Sequence, residues 1–252
     1  MSPLLEGEPL IIVVAVCLCG AGVRPGLADP IVDCRQIVVV ETETWDSVRG
    51  VLRGFRLADR SWEIDLRDIP VALGRNGLGV GEGLHRAGLS GPGKREGDKR
   101  APAGIFPLEY SFGTVPRPRG GNRTFAYHRT EEFHFWVDDP KSRYYNRWID
   151  MRDPQVQKDW QSGEILARAD GLYDLAIVVG HNRQRFLPGR GSAIFIHRWS
   201  RPGNPTIGCT ALDPGDLLRL WKWLDGSRNP IIVQGPKEWI RQLRVPSGFS
   251  FD

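Results

Sequence analysis

The chain has 252 residues and a formal charge of +4, with 40% hydrophobic residues, 30 glycines and 19 prolines. That hydrophobic share supports a real core, and the density of turn formers fits a β-rich fold better than a helical bundle. Charges of both signs are scattered along the chain, so it lacks the concentrated basic stripe of a nucleic-acid binder.

Residues 1–28 read as an export leader. Residues 10–19 are a continuous apolar run without charge, followed by Gly20-Ala21-Gly22, which fits a signal-peptide core with a small-residue exit. The run is much shorter than the ~20 residues needed to span a bilayer. The segment before it carries Glu6 and Glu8 and no Lys or Arg, unlike an ordinary leader. Cleavage between Gly20 and Ala28 removes Cys17 and Cys19, leaving Cys34 and Cys209 in a single domain over residues 29–252. Two cysteines do not make a disulfide framework, and Cys209 is expected to stay a free thiol rather than bridge to Cys34.

Short strands with tight turns are expected next, over residues 36–41, 48–55, 61–66 and 69–73, with Asn76-Gly77 as a turn signal. The glycine-dense stretch 77–93 reads as a surface loop with an exposed His85. Residues 94–106, K-R-E-G-D-K-R-A-P-A-G-I-F, read either as a solvated turn or as a loop supporting a groove. Residues 132–137 alternate with period two, so His134 and Trp136 share one face. Asp138-Asp139 reads as a turn, because adjacent residues in extended chain point to opposite faces and make a poor acid/base pair. A short helical turn is expected within 159–166 and a buried strand over 175–179. A helix over 217–224 follows, with Asp213 as its N-cap and Pro214 at its first position. Residues 231–233 form a last core strand.

Residues 192–213, S-A-I-F-I-H-R-W-S-R-P-G-N-P-T-I-G-C-T-A-L-D, carry the chemistry. An apolar strand over 193–196 delivers His197 to its end, and a Pro/Gly-rich loop leads to Gly208-Cys209. A thiol nucleophile beside a histidine base is the reading this pattern supports. Gly208 allows a sharp backbone turn that brings amides near a developing oxyanion. Arg198 and Arg201, and the cluster Arg183, Arg185 and Arg190, are candidates to clamp a terminal carboxylate. His181, Trp199 and Thr206 are candidate cleft residues, and the orienting acceptor for His197 is expected to be a backbone carbonyl in the 198–206 loop or Thr206. The five histidines are far apart in sequence and form no metal-ligand spacing. No metal and no cofactor is expected.

His197, the segment Thr206-Ile207-Gly208-Cys209, and the run Glu96-Gly97-Asp98 with Pro102, Gly104 and Phe106 together resemble the L,D-transpeptidase catalytic domain family, also called YkuD-like. The likeness covers most of residues 35–235. Ile207 stands where that family usually has a second histidine. The resemblance implies a mainly β fold, a YkuD-like β-sandwich with few short helices. It also implies Cys209 as nucleophile, His197 as base, and acyl transfer on peptidoglycan stem peptides through a thioester. The acceptor is an amine, or water in an L,D-carboxypeptidase. Another thiol amidase or a non-catalytic envelope-binding domain is the alternative. An exported monomer is expected, peripheral to the membrane or cell wall and without a nucleic-acid partner.

Overall fold

The computed structural model describes residue 31, residues 33–86 and residues 88–251. The expected leader lies outside the described residues. Among these described residues, thirteen strands and two short α-helices follow in the order β1 (Gln36–Thr42), β2 (Arg49–Ala58), β3 (Ser61–Ala72), β4 (Leu78–Val80), β5 (Ala101–Gly113), β6 (Tyr127–Arg129), β7 (His134–Val137), β8 (Arg147–Asp150), β9 (Gly163–Ile165), β10 (Ala176–Val179), β11 (Phe195–Arg198), β12 (Thr210–Leu212), α1 (Pro214–Trp223), β13 (Ile231–Pro236) and α2 (Lys237–Ile240).

The main sheet runs β10-β11-β12-β3-β2-β1-β13-β5, and β10 also pairs with β5. That last pairing closes an eight-stranded barrel. The expectation of a β-sandwich is therefore corrected, while the mainly β character with few helices stands. Alternating or fully apolar strands are demanded by both architectures, so strand patterns do not separate them. Two long-range pairings do. β1 lies parallel to β13 with Ile37 opposite Ile231, and β10 lies antiparallel to β5 with Ala176 opposite Phe112.

Buried apolar residues from almost every barrel strand form the main core cluster, among them Val38, Leu52, Ile69, Ile105, Ile177, Ile196 and Ile232. β1 is buried on both faces. Its first residue, Gln36, is tied by its side-chain amide to the Trp223 carbonyl at 2.9 Å and by its side-chain oxygen to the Asp225 N–H at 2.8 Å. Asp213 accepts from the Gly215 N–H at 2.8 Å, the N-cap expected of it, and α1 starts at Pro214. The two short strands expected over residues 61–73 are one strand, kinked where Asp68 takes φ +48°.

Between β6 and β10 the chain builds a separate three-stranded sheet in the order β8-β7-β9. Trp136 of β7 carries it onto the barrel, its ring edge-on to Phe195 of β11 at 5.0 Å. The helical turn expected within residues 159–166 is instead an irregular segment leading into β9. Gly163 pairs there with Val137, and Trp160 and Leu166 are buried, so tertiary packing overrides the local helical tendency. The Asp138-Asp139 turn behaves as expected, with Asp139 accepting from the N–H groups of Lys141 and Gln161. His85 is corrected as well. It is half-buried, accepts from the Ile105 N–H at 3.1 Å and packs against Phe106 and Trp239.

Candidate active site

β11 and β12 are parallel neighbours, with His197 opposite Ala211. The loop joining them therefore returns Cys209 to the same end of the barrel that holds His197. β11 begins at Phe195, two residues later than expected, because Ala193 takes φ +53°, a left-handed conformation outside strand geometry. Asn146 enforces this bend, since its side-chain oxygen accepts from the Ala193 N–H at 3.2 Å. The Ala193 carbonyl thereby faces the Cys209 sulfur at 3.5 Å.

The turn before Cys209 is built by Thr206. Its hydroxyl donates to the Cys209 carbonyl at 2.6 Å and accepts from the Gly208 N–H at 3.1 Å. Gly208 sits at φ +142°, which a residue with a side chain rarely adopts. Thr206, Gly208 and Cys209 are buried by this turn, and Ile207 is left at its tip, 71% exposed.

His197 is buried, and its Nδ1 lies 2.7 Å from the Arg198 carbonyl. A carbonyl only accepts, so Nδ1 carries the proton and Nε2 keeps its lone pair. Burial holds the imidazole down to about 4, so it is neutral at pH 7. Burial likewise pushes the Cys209 thiol up to about 12, with the Glu164 carboxylate adding to the rise. The resting pair is thus a neutral thiol and a neutral imidazole, and the thiol is not ionised in advance. The Cys209 sulfur accepts from the Phe195 N–H at 3.3 Å, and its proton is directed to the Ala193 carbonyl. No hydrogen bond joins it to His197. Cys209 and Cys34 are both free, and Cys34 is buried against the Gln36 carbonyl.

His197, Gly208 and Cys209 open onto one cleft of ≈ 340 Å³, which Trp199 and Thr206 also line. The remaining candidates lie elsewhere. Arg198 points to Asp174, 3.8 Å away, and Arg201 is exposed on the loop. His181 is fully buried. Its Nδ1 accepts from the Glu82 N–H and its Nε2 faces the Arg190 carbonyl at 2.9 Å, so both nitrogens hold loops together. Arg183 pairs with Glu109 and Arg185 with Glu82, both at 2.7 Å.

Several cleft residues carry no signal in the sequence. Glu164 of β9 accepts from the Tyr173 hydroxyl, and burial raises its carboxyl above the usual range. The Tyr173 ring stands edge-on to His197 at 5.4 Å. Arg168 reaches over Tyr173 and pairs with Asp170. The three come from a β-strand and an irregular segment more than 20 residues before His197, and only the tertiary structure gathers them. The run 94–98 is a built support and not a solvated turn. Asp98 accepts from Lys94 Nζ at 2.7 Å, from the Arg95 N–H at 2.7 Å and from the Arg100 N–H at 2.9 Å. Glu96 accepts from the Tyr145 hydroxyl and from Ser192 at 2.8 Å, fixing the entry to β11.

The family model of the L,D-transpeptidase catalytic domain, YkuD, matches residues 59–233. The chain belongs to the YkuD family. Two barrel strands of this YkuD domain, β1 and β2, precede the matched segment and complete the ring. No curated protein matches the sequence. Among solved structures, the chain is similar to the helical cell shape determining protein Pgp2 from Campylobacter jejuni, at 15% identity and a TM-score of 0.35. The likeness covers 81% of this chain and 48% of that one, so this YkuD chain spans about half of that protein's length. At that identity and score it assigns no residue a role. Among the described residues, no group of three or more His, Cys, Asp or Glu is placed to hold a metal ion. No helix among them is long and apolar enough to cross a membrane.

Proposed function

We propose that the protein is a cysteine-dependent acyltransferase acting on peptidoglycan stem peptides in the cell envelope after export. The observation that carries this reading is the commitment of His197 Nδ1 to the Arg198 carbonyl, which leaves Nε2 as a base in the cleft that also holds Cys209. On substrate binding, Nε2 takes the Cys209 proton as the sulfur attacks the peptide carbonyl carbon. The direct contact this needs forms in the complex, since catalytic hydrogen bonds are often loose in the free enzyme. The Gly208 N–H is occupied by Thr206, so the Cys209 N–H is the donor from this turn that meets the oxyanion. Collapse of the tetrahedral intermediate breaks the C–N bond. His197 returns its proton to the departing D-residue amine, leaving a thioester on Cys209. An amine of a second stem then attacks the thioester, loses its proton to His197 and releases the thiol, forming an L,D cross-link. Water in that role gives a carboxypeptidase. Arg168, the arginine lining the cleft, is the candidate for a substrate carboxylate.

One observation favours a second reading, a non-catalytic envelope-binding domain: the thiol proton faces the Ala193 carbonyl and not the imidazole. Intact mass of the purified mature chain after incubation with a muropeptide tetrapeptide separates the two. Acyl transfer requires loss of one D-residue from the peptide and an acyl adduct on the protein, absent from Cys209→Ala and strongly reduced in His197→Gln. An unmodified protein and an intact peptide would sink it.

A further inference from the structure

Ile207 is the most exposed large hydrophobic residue among the described residues, at 71%, and it stands on the rim of the cleft two residues from the thiol. Its exposure is imposed by the turn. The Thr206 hydroxyl clamps Gly208 and Cys209 from inside, so the side chain between them is held away from the core. Ile207 packs into none of the three apolar clusters. Any residue with an ordinary backbone fits that position, so the fold does not call for an isoleucine there. Leu172, Trp199 and Pro205 line the same cleft, each only half-buried. The charged lining, by contrast, comes from Lys94, Glu96, Asp138, Glu164 and Arg168, which lie on other segments. The cleft therefore has an uncharged lip on the β11–β12 loop, where Trp199, Pro205 and Ile207 stand with Ser200 and Asn204, and a charged lining elsewhere. A substrate that covers this lip gains from removing apolar surface from water.

We propose that Ile207 is a substrate-contacting specificity residue, covered by an aliphatic side chain on a peptide residue flanking the scissile amide. The proposal rests on the acyl-transfer reading for the identity of the ligand as a peptide. Its test reads binding alone and does not need turnover. Full-length mature Cys209→Ala and Cys209→Ala/Ile207→Ser proteins are titrated with synthetic stem tetrapeptides by calorimetry. Glycine, D-serine, D-alanine or D-valine is placed at the C-terminal position. In a second arm, glycine or norvaline is placed at the preceding residue. The expected result is that one of these positions prefers the aliphatic residue by about ten-fold, equivalent to ~1.4 kcal/mol, and that Ile207→Ser removes the preference while leaving the glycine peptide's affinity unchanged. Because Ile207 is exposed, the substitution leaves the melting temperature in place, which is checked alongside. Equal affinity for all peptides, a preference that survives Ile207→Ser, or no binding of any peptide would each overturn the proposal. A preference lost with Ile207→Ser, alongside a wild-type chain that forms no adduct in the mass experiment, would uphold it and overturn acyl transfer instead.

Discussion

Cys209 and His197 are both buried and both neutral at rest, and this determines how the thiol responds to its neighbours. Burial is the larger effect on Cys209, and the Glu164 carboxylate adds to it by opposing a second negative charge nearby. Alkylation of Cys209 by iodoacetamide should therefore be slow at pH 7 and climb towards pH 12. Glu164→Gln keeps an acceptor for Tyr173 and removes the charge, so its alkylation profile should move to lower pH and its rate at pH 9 should rise several-fold. An unchanged profile would show that Glu164 does not act on the thiol. Thr206 is the second residue on which the site depends. Its hydroxyl makes two hydrogen bonds inside one turn, and Thr206→Val leaves the Gly208 N–H and the Cys209 carbonyl without a partner. The expected loss is about 1–3 kcal/mol, read as a lower midpoint in urea with an unchanged slope. Neither role follows from residue type, because a threonine before a glycine in a loop is compatible with many turns.

At the level of elements, the three-stranded sheet inserted before β10 supplies Asp138 and Glu164 to the cleft, and Asn146 ties it to the barrel. Asn146 takes φ +58°. Its amide nitrogen donates to the carbonyls of His181 and Asn182, and its oxygen accepts from Trp136 Nε1 at 2.9 Å and from the Ala193 N–H. All four bonds are buried, so both ends of the amide are required. Asn146→Asp would place a carboxylate against two carbonyls, at a cost of about 3 kcal/mol or more. The chain should express poorly or melt much earlier, whereas a variant of exposed Met151 should not. Helix α1 offers a milder comparison. Asp213→Ala removes one N-cap bond and should cost about 1 kcal/mol, with no effect on thiol reactivity. The N-cap was readable because Asp-Pro is a local signal, while Asn146 was not, because its four partners lie up to 47 residues away.

Among the described residues, burial lowers four histidines, His85, His134, His181 and His197, the last two furthest. His197 is held at about 4 and His181 at about 3, both chiefly by burial, against 6.5 for a free imidazole. Between roughly pH 6.5 and pH 4 the unfolded chain binds protons at these sites and the folded chain does not. Their contribution to stability is therefore complete above ~6.5 and is lost as the pH falls, at up to ~1.4 kcal/mol per pH unit for each histidine. In the alkaline range the thiols of Cys34 and Cys209, raised from 9.0 to about 12, act in the opposite sense, and stability falls as the pH rises past ~9. Urea midpoints measured from pH 4 to pH 10 should pass through a maximum between these limits, and His197→Gln should flatten the acid side. An acid slope identical in that variant would contradict the assignment. The sequence by itself determined the family, the mainly β class, the positions of β1, β2, β3, β7, β10, β11 and β13, the α1 cap and the pairing of His197 with Cys209 as candidates, because these depend on local patterns and on spacing along one segment. Only the tertiary structure decided that the sheet closes into a barrel, that Glu164, Arg168 and Tyr173 share the cleft, that Arg198 contributes its carbonyl to His197, and that Ile207 stands exposed beside the thiol. Those features rest on pairings such as β1 with β13 and β10 with β5, whose partners are far apart in the chain and leave no periodic trace in it.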